Sequence, residues 1–162
     1  MTAQRNNEGF VEALAAMVNP IKAVTLIHRG ENNRMARKII YWVSTGLVAA
    51  LGAFAGLTYL SGNPKVAEQF AHVGYPHQLQ IILGIAKLLG AITLVIPGWP
   101  KLKEWAYAGF TFAWISAHVA HHLARDPYFE QFMPIVLLIF LAVSYVTRPA
   151  SRRWPAAATA MP

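Results

Sequence analysis

The stretch LQIILGIAKLLGAITLVI, residues 79–96, carries a single charged side chain, Lys87, among eighteen residues. At 1.5 Å per residue it makes a helix about 27 Å long, close to the roughly 30 Å of hydrocarbon in a bilayer. It has no period-two alternation that would make it a strand. Pro97-Gly98 ends it, with Pro100 close behind, a strong stop signal. Three further stretches read in the same way. Residues 39–60 hold no charge, residues 105–124 carry three histidines near their end, and residues 132–146 place Pro134 in a first turn, where a missing N–H is tolerated. The expected fold is all-α: an integral membrane four-helix bundle.

The composition agrees. Of 162 residues 56% are hydrophobic and 13% charged, with only 7 Asp and Glu, whereas a soluble domain carries about 25% charged residues. This excludes a soluble enzyme, a disordered chain and a nucleic-acid module despite the net charge of +7. The absence of cysteine excludes disulfides, thiolate metal sites and thiol redox chemistry.

Basic residues set the orientation. Arg34, Arg37 and Lys38 precede the first span, Lys101 and Lys103 lie between the second and third, and Arg148, Arg152 and Arg153 follow the fourth, whereas the other two loops hold only Lys65 and Arg125. Both termini and the turn at 98–104 are therefore expected in the cytoplasm of a bacterial-type inner membrane, with the histidine-containing loops outside. These clusters are explained by topology and need no nucleic-acid partner.

Residues 1–38 form a cytoplasmic extension without the apolar core of a secretion signal. Phe10, Leu14, Met17, Val18 and Ile21 recur at helical spacing, Asn19-Pro20 reads as a cap with a first-turn proline, and Gly30 could close a second short helix. An amphipathic helix on the anionic inner leaflet and a loose extension are both open. Residues 39–147 are the transmembrane domain, and residues 148–162 a basic, then Ala/Pro-rich, cytoplasmic tail.

Helices in lipid associate through close backbone approach, because burying apolar surface there gains little. Gly52-x-x-x-Gly56, Ala86-x-x-x-Gly90 and the series Gly109, Ala113, Ser116, Ala120 supply small faces. They pack the bundle together or, in the sharper reading, form a homo-oligomer.

FAHVGYP at 70–76 followed by LGIAKLLGA at 83–91 resembles the DoxX-like family of small four-helix membrane proteins. Ile96-Pro97, LKEWAYAGF at 102–110 and His122 continue the resemblance over about residues 38–147. It implies a four-helix bundle with both termini inside. It also implies an association with redox chemistry, since relatives include a subunit of thiosulfate:quinone oxidation and proteins of membrane redox homeostasis. Relatives often carry an acidic residue in the Phe-rich part of the third helix; here Ala113 stands there, beside Trp114, and His118 and His121 are additions to the family's single histidine at that helix end.

Lys87 lies near the bilayer centre, where a charge costs at least ~2.5–3.5 kcal/mol and turns to the bundle interior or a wet cavity. No span offers it an Asp or Glu. Backbone carbonyls, hydroxyls or an anionic or quinone-like ligand are the partners open to it, and structural and functional roles both stand. His118, His121 and His122 share one arc of the third helix at the i, i+3, i+4 spacing that helices use for metal ligation. His72 and His77 in the outer loop could complete a shell. A transition metal or haem, a proton-handling site and ordinary interfacial histidines all fit this pattern. The leading expectation is a redox-associated protein, quinone-, metal- or haem-linked, with an outward-opening site between the second and third spans. If it is an enzyme, it is a membrane oxidoreductase or a redox subunit. Lys87 and His118 would do the chemistry, with Trp114 and His122 joining them around the cofactor. The alternative is a non-catalytic subunit or scaffold for a partner complex.

Overall fold

The computed structural model describes residues 20–153, with side chains from residue 31 onward. Every regular element among the described residues is helical: α1 Pro20–Leu60, α2 Pro64–His72, α3 His77–Val95, α4 Pro100–Leu123 and α5 Tyr128–Thr147, followed by a 3-10 turn at Ala150–Arg152. The chain divides into two compact units, residues 1–39 and 40–162. In the first, residues 31–39 are exposed throughout, and the amphipathic pattern at 10–18 lies outside the described residues. The helix that starts at Pro20 runs on through Gly30. An interior glycine costs about 1 kcal/mol relative to alanine but ends a helix only where the chain turns left-handed, so the stop expected there does not occur.

Three helical segments are long and apolar enough to cross a membrane: Glu31–Leu60, His77–Val95 and Tyr128–Thr147. The 24 residues of α4 are long enough too, but its three histidines and the charges at Lys101, Lys103 and Glu104 dilute its hydropathy.

Local chemistry accounts for the helix ends. In α2, a nine-residue helix not expected from the sequence, the Asn63 side chain accepts a hydrogen bond from the Lys65 N–H and Pro64 fills the first turn. Between α3 and α4, Gly98 and Trp99 take positive φ (73° and 52°) before Pro100 restarts the helix. At the α4–α5 corner Arg125 is left-handed (φ 58°), letting its N–H and that of Asp126 return to the His122 and His121 carbonyls. Because α5 begins at Tyr128, Pro134 sits in its interior and not in the first turn.

Within residues 40–162 the small residues make close packing inside the chain. The Phe110 ring occupies a notch between α1 and α3: a Cβ on either Gly52 or Gly90 would come within 2.9 Å of it. A Cβ on Gly56 would meet the Gly84 carbonyl oxygen at 2.9 Å, so these two helices touch backbone to backbone. Val48, Leu94, Tyr107, Phe110, Trp114 and Leu141 form the buried core. Large apolar side chains such as Phe54, Leu57, Ile82, Leu89, Phe112 and Ile139 face outward, a surface suited to lipid.

Candidate functional site

The residues singled out in the sequence fall into two places. Lys87, midway along α3, donates from Nζ to the Tyr59 hydroxyl at 3.0 Å and stands 4.2 Å from the centre of that ring. It also lines a groove of about 240 Å³ between α3 and α4, open along one side, with Gly90, Thr93, Leu102, Trp105 and Gly109 among its walls. The groove thus runs from Lys87 toward the α3–α4 turn. Trp114, His118 and His122 do not line it; Trp114 is buried beside Phe110, ring centres 5.1 Å apart.

The histidines gather at the other end of α4. Asp126, on the α4–α5 corner, accepts from His72 Nε2 at 2.6 Å and from His121 Nδ1 at 2.5 Å, so one carboxylate ties α2 to α4. These two bonds, that of His121 first, hold the Asp126 carboxyl below its usual range. Gln131 of α5 is a second hub. Its side-chain N–H donates to the Asp126 carbonyl, its backbone carbonyl accepts from His118 Nδ1 at 2.6 Å, and its Oε1 accepts from His122 Nδ1 at 3.2 Å. The rings of His118 and His122 lie stacked, centres 6.3 Å apart. With these acceptors, His118, His121 and His122 all commit Nδ1–H, which leaves Nε2 of each neutral ring with its lone pair. His77 stands apart on Gln80, whose amide N–H donates to the Tyr59 carbonyl. Among the described residues no three His, Asp or Glu side chains are gathered closely enough to hold a metal ion.

Sequence reasoning missed a third cluster, made of the basic residues read there only as topology markers. Lys103 is fully buried and donates to the carbonyls of Thr93 and Ile96. Arg152 donates to those of Leu94 and Val95 and lies over the Trp42 ring at 4.5 Å. The last carbonyls of a helix have no partner within it; here Pro97 has no N–H to lend, and two cations serve instead, where the helix dipole favours positive charge. Arg148 pairs with Glu104 at 2.8 Å and lies over the Tyr145 ring at 4.0 Å. Beneath it, hydroxyls of Tyr107, Ser144 and Thr45 link α4, α5 and α1, at 2.7 and 2.6 Å. Tyr59 was missed as well: it lies 28 residues before Lys87, and no periodic pattern joins positions on different helices.

Against known proteins, the model of the DoxX-like family matches residues 43–144. No curated protein and no solved structure matches the chain. The match takes in the Lys87 groove, Lys103 and the histidines and stops short of Arg148 and Arg152. The chain belongs to the DoxX-like family.

Proposed function

We infer that this DoxX-like membrane protein is a redox-associated four-helix bundle of a bacterial-type inner membrane, with both termini in the cytoplasm. In this reading α4 is the fourth crossing, since at 1.5 Å per residue its length is about 36 Å. The basic residues at the termini and at the α3–α4 turn favour the orientation. A reporter fused after residue 162 is expected to be active only in the cytoplasm; periplasmic activity would invert the topology.

The ligand site is the α3–α4 groove, and the observation that carries it is Lys87: a cation at mid-helix, one N–H on Tyr59, opening on an apolar cleft. Quinone is the ligand class that joins this cleft to the redox association, with a ring carbonyl accepting from Lys87 Nζ and the tail in lipid. Leu89 and Trp105, which line the groove, are largely exposed apolar side chains, which supports entry from the bilayer side. Protein isolated in native lipid patches is expected to retain quinone on solvent extraction, and Lys87→Met to lose most of it. Equal quinone in both would remove the assignment.

A transition metal or haem on the imidazoles is the second reading, favoured by the fixed Nδ1–H donors, since ligating histidines are oriented in this way by outer acceptors. His118, His121 and His122 would have to turn their Nε2 atoms to one point, with His72 as the nearest addition. Elemental analysis and an optical spectrum of untagged protein decide it: metal or haem lost in His118→Ala and His122→Ala supports ligation. A colourless, metal-free protein that isolates with a stoichiometric partner would support the scaffold reading instead.

A further inference from the structure

Lys87 brings a positive charge to the middle of α3, and no carboxylate among the described residues is bonded to it. Its hydrogen-bond acceptor is the Tyr59 hydroxyl. Asp126 is held by His72 and His121, and Glu104 by Arg148. Glu68 lies on α2 and Glu130 in the first turn of α5, away from the middle of the spans. An ammonium has three N–H donors; with one on Tyr59, two are left for an acceptor in the groove. A cation at this depth is expensive unless paired, and the groove walls around it are otherwise almost entirely apolar.

We propose that the α3–α4 groove binds a lipophilic monoanion, a single-chain carboxylate, with its head on Lys87 and its chain along the groove. This rests on the groove being a ligand site, as inferred above, but names a different ligand from a neutral quinone. Charge complementarity selects an anion. Depth selects the kind: Lys87 lies about 12–15 Å from either end of α3 at 1.5 Å per residue, well inside the level of bilayer phosphates. A carboxylate on one chain reaches it, whereas a phosphodiester anchored by two chains stays at the interface. Size agrees, because about 240 Å³ is below the ~300–1,000 Å³ of sites that engulf a drug-sized ligand. The groove takes a head and the first part of one chain, and the rest lies in lipid along the open side. The space at Gly109 is open, since a Cβ there would meet nothing within 4 Å.

The test uses the full chain in zwitterionic nanodiscs with a diazirine-bearing long-chain fatty acid and, separately, its methyl ester. Mass spectrometry locates the photolabel. The acid is expected to label groove residues such as Trp105 and Ala106 at least tenfold more than the ester does, with labelling lost in Lys87→Met and kept in Lys87→Arg. Should Lys87→Met fail to accumulate, Gly109→Leu carries the test: it fills the groove without touching Lys87 and is expected to abolish groove labelling. Equal labelling by acid and ester, or undiminished labelling in Lys87→Met or Gly109→Leu, overturns the proposal. A short-chain quinone competitor separates the two readings. Acid labelling without quinone binding leaves the anion site and removes the quinone. Lys87-dependent quinone binding without acid labelling does the reverse, and absence of both removes the site.

Discussion

At one end of the helical unit, four successive carbonyls of α3, Thr93 to Ile96, are met by two cations, Lys103 and Arg152. At the other, four imidazoles from α2 and α4 are met by the Asp126 carboxylate and by Gln131, through its backbone carbonyl and its side-chain oxygen. In the basic cluster the donors are permanently or nearly permanently charged and turned onto backbone oxygen or Glu104. In the histidine cluster each ring has one nitrogen engaged and one left over, and the rings stand partly or fully exposed. The first arrangement fastens: it satisfies backbone groups that a membrane helix end must satisfy and keeps little in reserve. The second retains capacity, since a neutral imidazole with a spare lone pair can still take a proton or a metal. Residues that topology rules read as one class, basic groups beside spans, thus include structural fasteners as buried as the core.

The largest expected effect tests the fastening. Lys103→Met leaves the Thr93 and Ile96 carbonyls without their donor; at about 1–3 kcal/mol for each buried polar group left unpaired, partly offset by relief of a buried ammonium, the net loss is expected near 2–4 kcal/mol. Denaturation of wild type and variant in the same detergent reads it directly. A loss under about 1 kcal/mol would mean that water or another donor replaces the lysine, and the contrast between the ends would weaken.

The difference between the ends also explains what was legible in the sequence. Hydropathy places α3 and α5 to within a few residues, because lipid acts on each helix separately. The small residues at Gly52, Gly56 and Gly90 are readable for the same reason: close approach has a local signature. Lys87 is legible as the one charged residue of an apolar stretch. What was not legible is partner choice. Nothing in the spacing of Arg152 and Leu94 announces that one caps the other across 58 residues, and the buried Lys103 resembles any positive-inside lysine. The histidines were legible as a cluster on one arc, but their division between Asp126 and Gln131 depends on the left-handed Arg125 and the start of α5. The helix α2 left a weak signal, Asn63-Pro64, in a stretch too short for periodicity to speak.

A smaller effect is expected at the histidine end. Asp126→Asn removes the charge on which His121 and His72 converge and should lower the melting temperature at pH 7 by less than Lys103→Met does. The sign of the pH dependence follows from the Asp126 carboxyl being held below its usual value. A depressed carboxyl stabilises above its unfolded pKa of about 3.9 and loses that contribution as pH falls through the folded value. Wild type and variant should therefore differ at pH 7 and converge in strong acid. Identical melting at pH 7 would show that the carboxylate bridge orients the rings without stabilising the fold.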